Sequence, residues 1–312
     1  MIVCCGEALI DMLPRRLPDG GDVFLPVPGG AVFNTAVALG RLGEEVQFLS
    51  GLSTDMFGRR LVAHLEESGV GTRLCKRCPR PTTLAFVTLT DGNAQYAFYD
   101  EGTAGRMLDS ADLPDLPAGT AALHFGAISL IPEPCGSAYE EMMRRHRDGA
   151  VISFDPNIRP GFVDDEDAYR KRLHRMTAMS DIIKVSEEDL AWLEPDRAFD
   201  QVARDWIDNG AKVVVLTRGG DGVRAVTRTQ DVHVPARRTT VVDTVGAGDS
   251  FNAGFLAGLR RGGDLAKARL AALPGDALVH ALDFAAQVAA FTVGQSGANP
   301  PWKDQVAWQD AP

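Results

Sequence analysis

The stretch DTVGAGDSFNAGF, Asp243 to Phe255, places a turn of small residues directly before a helix. Phe251, Phe255 and Leu259 recur at a spacing of four, which predicts one apolar helix face. Gly246, Ala247 and Gly248 stand immediately ahead of Asp249. The first N–H groups of a helix lack intrahelical acceptors and carry partial positive charge. Small residues at that point let an anion approach them closely. The turn is therefore a candidate phosphate cradle with Asp249 at its mouth. A carboxylate there can take the proton of an incoming hydroxyl, or it can simply cap the helix. The turn alone leaves both roles open.

Outward from this junction, short apolar runs alternate with helical patterns. MIVCCG, VQFLSG, ALHFGA, VISFD, DIIKVS and KVVVLT read as strands. Residues 32–42, 58–68, 139–147, 169–179 and 202–209 read as helices between them. This rhythm predicts an α/β fold with a doubly wound, mostly parallel sheet. Ligands of such sheets bind beyond the carboxyl ends of the strands. Polar clusters stand at those ends: FDPNIR, KVSEED and TRGGDG.

Two stretches break the rhythm. Residues at about 20–28 and 82–101 read as period-two strands, the second with a hairpin turn at Asp91-Gly92 or just beyond. Ala85, Phe86, Val87, Tyr96, Phe98 and Tyr99 would leave an apolar face in need of cover. These insertions predict a small β-sheet lid over the strand ends of a single domain spanning 1–302. Residues 303–312 read as a loose tail.

The chain has 312 residues, 45% hydrophobic and 24% charged, with net charge −10. An acidic surface argues against nucleic acid or an anionic membrane as main partner. No apolar run suggests a membrane span, and the N-terminus carries no basic leader. A cytoplasmic protein is expected, acting on small molecules. Of five cysteines, Cys75 and Cys78 form CKRC, without the second pair or the histidines of a zinc site. They read as incidental surface thiols in a reducing compartment.

No Gly-x-x-x-x-Gly-Lys-Ser/Thr is present, and no Gly-x-Gly-x-x-Gly follows the first strand. Instead, DTVGAGDSFNAGF resembles the C-terminal signature of the ribokinase-like, or PfkB, family of sugar kinases. GGAVFNTAVALGRLG, Gly29 to Gly43, resembles that family's N-terminal signature. The two motifs lie in the expected order, and the strand–helix rhythm between them also fits, so the resemblance covers about residues 1–300.

The resemblance implies a role for each matching residue. Asp249 becomes the catalytic base, and Gly246, Ala247 and Gly248 the anion hole. Asp243 matches an acid associated with a bound monovalent cation, expected to be K+. Asp11 matches the acid that binds sugar hydroxyls, and Gly29, Gly30 and Asn34 the substrate-binding turn and helix start. Glycines let backbone approach a sugar, and Asn and Asp suit vicinal hydroxyls. DPNIRP resembles a strand end from which Asn157 and Arg159 reach substrate and phosphates; a permanently charged, planar guanidinium suits the latter. KVSEEDL aligns with an Asn-x-x-Glu element that orders Mg2+, here with Ser186 for Asn and Asp189 for Glu. Glu187 is an equal candidate, Lys184 is placed on the nucleotide side, and Ser186 with Asp189 also reads as a capping box. Thr217, Gly219 and Gly222 match the turn that holds ATP, and residues 281–300 the helix and loop beside adenine.

AFYDEGTAGRMLDSADLP, Ala97 to Pro114, resembles the bacterial fructokinase branch, with Gly102 in place of an Asn. Arg106 would point from the lid base toward the sugar. Fructose, phosphorylated at its 6-hydroxyl, is the implied substrate. The alternatives are 2-keto-3-deoxygluconate or another sugar or nucleoside, and, from a different class, a non-catalytic sugar-binding regulator. The lid leaves open a monomer or a lid-mediated homodimer.

Overall fold

The predicted strand runs fall side by side in one sheet. A computed structural model describes residues 1–90 and 93–308. β1 (Ile2–Cys5) leads into the hairpin β2 (Leu9–Arg16) and β3 (Asp22–Gly29), then α1 (Ala31–Arg41) and β4 (Val46–Leu49). β5 (Gly51–Ser53), α2 (Met56–Glu67), β6 (Val70–Gly71) and β7 (Lys76–Cys78) precede a second pair, β8 (Leu84–Thr90) and β9 (Asn93–Tyr99). Strand and helix then alternate through β10 (Ala122–Gly126), α3 (Cys135–His146), β11 (Val151–Asp155), α4 (Glu166–Thr177) and β12 (Ile182–Ser186). α5 (Glu187–Leu193), α6 (Phe199–Asp208), β13 (Val213–Thr217), β14 (Val223–Val226) and β15 (Asp231–Val234) follow, and α7 (Ala247–Arg261), α8 (Lys267–Ala271) and α9 (Gly275–Val293) complete the order.

The main sheet has nine strands in the order β15-β14-β13-β12-β11-β10-β1-β4-β6. β13 to β6 are parallel, and β14 and β15 add an antiparallel edge. Strand side chains alternate between two cores. Ile2 and Cys4 join the core under α1, α7 and α9, whereas Val3 and Cys5 join the one under α3, α4 and α6. α7 and α9 pack closely because Gly254 carries no side chain; a Cβ there would lie 2.7 Å from Ala285 Cα. By length and composition α9 could cross a membrane, contrary to the expectation that no apolar run was long enough. Its apolar character follows from this packing against α7, since Ala281, Leu282, Ala285 and Val288 are core residues.

The lid is a four-stranded sheet ordered β3-β2-β8-β9. β2 sits at its centre and was not foreseen, because Pro14 and the terminal arginines of LIDMLPRR obscure the alternation. The expected single apolar surface is in fact two faces. Asp11, Ala85 and Phe98 share one by register. Phe86 lies on the other, where its ring meets Phe24 at 5.0 Å and Tyr99 at 5.3 Å between centroids. The turn proposed at Asp91-Gly92 lies outside the described residues.

Two further expectations need correction. Residues 299–308 are docked: Arg41 donates to Asn299 Oδ1 at 2.7 Å and Pro300 O at 3.0 Å, Val306 is buried, and Trp308 meets His280 and Phe284. Apolar side chains in the tail find seats on α1 and α9, and this outweighs its prolines. Cys75 and Cys78 are half-buried rather than on the surface, and the Cys75 thiol donates to Phe48 O at 3.2 Å.

Candidate active site

α7 begins at a glycine. Gly246 is the N-cap residue with φ +77°, a left-handed conformation that favours glycine. No side chain caps the helix, so Asp249, in the first turn, is not the cap. Ala247 N–H donates to Thr244 O at 3.3 Å and Ser250 N–H to Gly246 O at 2.9 Å. The first N–H groups of a helix have no partner within the helix itself.

The Asp249 carboxylate turns instead toward α1. It accepts a hydrogen bond from Asn34 Nδ2 at 2.9 Å, and its backbone carbonyl accepts one from Thr35 Oγ1 at 3.3 Å. Burial pushes the Asp249 pKa up to about 7, and the Asp155 and Glu7 carboxylates act in the same sense. Asn34 and Lys184 pull the other way. A carboxyl with a pKa close to neutrality is suited to accept a proton at physiological pH.

Two clefts meet at this helix start. One, of about 410 Å³, is lined by Asp11, Gly30, Asn34, Asn157, Arg159, Lys184 and Asp249, with Phe98 reaching in from the lid. The other, of about 490 Å³, is lined by Thr217, Gly219 and Gly222 on one side and by Ala286, Ala290 and Val293 of α9 on the other. Thr244, Ala247 and Gly248 line both. The first cleft is polar and acidic; the second has an apolar wall suited to a flat ring.

Within the first cleft, Asp11 comes from β2 and its pKa is raised to about 6 by burial. Gly29 makes room for it: a Cβ on Gly29 would lie 2.2 Å from Asp11 Oδ2. Asn157 is held at φ +40° beyond β11, and its N–H donates to Asp155 Oδ1 at 3.2 Å. Arg159 projects from the same loop and donates to Ile158 O at 2.9 Å. Phe98 packs against Phe162 with centroids 4.3 Å apart, so the lid touches the main domain beside the cleft.

Other predicted residues are engaged by protein partners, and of these Asp189 lines the first cleft. Arg106 does not line the cleft; it pairs with Asp100 at 3.0 Å at the lid base. Glu187 lies outside both clefts and pairs with Arg218 at 3.1 Å. Asp189 is buried and accepts from Ile158 N at 2.7 Å and from Ser186 Oγ at 2.8 Å, within a capping box. Asp243 accepts from Val245 N at 3.0 Å and Gly297 N at 2.9 Å, tying the turn before α7 to the loop after α9.

Three cleft residues escaped the sequence reading. Glu7 is buried against α1 and accepts from Val32 N at 3.2 Å. Glu188 faces the first cleft where Glu187 does not. Arg238 lines the second cleft, and the basic pair Arg237-Arg238 in an acidic chain was a usable signal.

Residues 1–305 match the description pfkB family carbohydrate kinase. The chain belongs to that family. A fructokinase of Rhizobium leguminosarum bv. trifolii is 53% identical over 278 residues, covering 89% of this chain and 85% of its own length. The solved fructokinase of Xylella fastidiosa with bound ATP is 34% identical with a TM-score of 0.88, over 95% of this chain and 93% of that one. A fructokinase of Vibrio cholerae O395, solved with fructose, ADP and calcium ion, is 25% identical with a TM-score of 0.82, over 95% and 94% of the two chains. The family's ribokinase-like fold accounts for the sheet order and the separate lid.

Proposed function

We propose that the protein is an ATP-dependent fructokinase that phosphorylates the 6-hydroxyl of fructose. One observation carries this reading: a buried carboxylate with a pKa near 7 stands at an open helix N-terminus where a polar cleft and an apolar-walled cleft meet. Fructose occupies the polar cleft, with Asp11, Asn34 and Asn157 on its hydroxyls and Phe98 above it. ATP lies in the second cleft, adenine on α9 and phosphates toward the turn at Thr217–Gly222. Asp249 takes the proton of the 6-hydroxyl as its oxygen forms a bond to the γ-phosphorus, and the bond to the β-phosphate oxygen breaks to release ADP. The N–H groups at Gly246–Gly248 receive the charge on the transferring group, while Arg159 and Lys184 add positive charge.

Carboxylate oxygens at Glu188 and Asp189 suit magnesium, a hard cation that keeps several waters. Asp189 already accepts several protein hydrogen bonds, so we assign Glu188 to the metal's water shell and Asp189 to holding the loop. When bound, magnesium neutralises phosphate charge. Asp243 fixes the loop proposed to border a potassium ion.

2-Keto-3-deoxygluconate is the second reading. Its carboxylate needs cationic partners, and the pairing of Arg106 with Asp100 removes one of the two expected. A non-catalytic binder has no use for a buried base that is costly to ionise. Purified protein with ATP, magnesium and potassium, offered fructose, 2-keto-3-deoxygluconate, ribose, glucose and adenosine, tests the assignment by ADP release. Fructose is expected to give the highest kcat/KM, and failure to turn over any of the five would reject the proposal.

A further inference from the structure

Below the junction of the clefts, Lys184 is held in a buried polar cluster through Asp155 and Asn252, to which the mechanism above gives no task. Asp155, at the end of β11, is 2% exposed. Its Oδ2 accepts from Lys184 Nζ at 2.9 Å and from Asn252 Nδ2 at 2.7 Å, and its Oδ1 accepts from Asn157 N at 3.2 Å. One carboxylate thus ties together the sugar-side loop through Asn157, α7 through Asn252 and β12 through Lys184. Lys184 is in turn aimed at the start of α7: a Cβ on Gly248 would lie 3.3 Å from its ammonium nitrogen.

That placement has the wrong sign for helix stability. A cation beside a helix N-terminus is repelled by the exposed N–H groups, and a buried lysine tends to lose its proton. Burial does act downward on the Lys184 pKa, but Asp155 first, then Asp189 and Asp249, more than restore it. His124, whose Nδ1 lies 3.0 Å from Ser153 Oγ, has its pKa driven down to about 3 by burial, so it is neutral and offers no competing charge. Two positive features are therefore held facing each other across a residue without a side chain. The arrangement becomes favourable when an anion sits between them.

We propose that Asp155 and Asn252 are positioning residues that hold the Lys184 ammonium, charged, against the phosphoryl-binding turn, so that the turn and the ammonium grip the transferring phosphate together. The inference rests on the kinase reading above and deepens it. It assigns a task to the aspartate of DPNIRP and to Asn252 of DSFNAG.

The test compares the parent with Asp155→Asn, Lys184→Met and the double variant. Kinetics with fructose give kcat and KM, and calorimetry without sugar gives ATP and ADP affinities. Asp155→Asn and Lys184→Met should each lower kcat by roughly 10²-fold or more, as for loss of a charge-stabilising group, with the fructose KM within about threefold. ATP affinity should fall about tenfold while ADP affinity stays within about twofold, because the lost contact is to the terminal phosphate. The Asp155→Asn variant should also gain an alkaline limb in its kcat profile, as Lys184 loses its main counter-charge. Replacing both members of a buried pair usually restores folding, so the double variant should fold like the parent and be no faster than Lys184→Met. Turnover of Asp155→Asn within threefold of the parent, equal losses for ATP and ADP, or recovery of kcat in the double variant would each overturn the proposal. The nucleotide arm does not depend on the sugar: an inactive parent that still discriminates ATP from ADP through Asp155 would reject fructose phosphorylation and keep the brace.

Discussion

Replacing Asp249 by Asn should produce a protein that is more stable and nearly inactive. Asn keeps the size of the side chain and an oxygen that can accept from Asn34, 2.9 Å away in the parent, but it cannot take a proton. Loss of a positioned base typically costs about 10²–10⁴ in rate. The stability change has the opposite sign. The folded carboxyl has a pKa of about 7 against an ordinary value of 3.8, so between those values the native state binds more protons than the unfolded chain. Stability therefore falls as pH rises through that window, and the full penalty applies above about pH 7. At 1.36 kcal/mol per tenfold change in proton affinity the penalty is at most about 4 kcal/mol. For a chain of 312 residues that corresponds to a rise in Tm of up to about 6 °C. Calorimetry at pH 8 and at pH 4.5, beside a coupled ADP-release assay, measures both quantities. The gain in Tm should appear at pH 8 and largely vanish at the lower pH. A variant with turnover within a few-fold of the parent, or one less stable than the parent at pH 8, would refute the reasoning.

The remaining predictions follow from the same geometry. The parent's kcat/KM for fructose should fall at acid pH with an apparent pKa near 7, reaching about a tenth of its plateau near pH 6; a flat profile between pH 6 and 8 would count against Asp249 as the base. Gly29→Ala forces a Cβ to within 2.2 Å of Asp11 Oδ2, and should raise the fructose KM by about tenfold or more, the scale of a lost charged hydrogen bond, with ATP affinity unchanged by calorimetry. Arg106→Ala should leave the fructose KM within about twofold, since Arg106 is engaged by Asp100 and exposed pairs contribute little, whereas Arg159→Ala should impair turnover. Phe98→Ala removes the lid's contact with Phe162 and should raise sugar-independent ATP hydrolysis, read as phosphate release without fructose.

Most of the scaffold was legible because its signals are local. The six strand runs and five helical patterns depend on period and length alone, and Val213–Thr217 or Tyr169–Met176 needs no distant partner to be recognised. The turn at Gly246 was legible for the same reason: a left-handed N-cap leaves glycine in the sequence. Residues whose position depends on tertiary packing were harder to find. β2 is interrupted by Pro14, and β14 and β15 are four residues each, too short for their pattern to stand out. Glu7 has no local pattern to mark it, and only the approach of α1 makes it a buried acceptor. Glu187 and Glu188 are adjacent and chemically alike, and the helix phase of α5 alone decides which faces the cleft. Arg106 was assigned by resemblance, but its local partner Asp100 holds it at the lid base.

The most direct test of the account is the product itself. Protein, fructose, ATP and magnesium, followed by phosphorus and carbon NMR, should yield fructose 6-phosphate and ADP in equal amounts, with no phosphate on any other hydroxyl. ADP formed without a phosphorylated sugar, or fructose left unchanged while 2-keto-3-deoxygluconate is consumed, would contradict it.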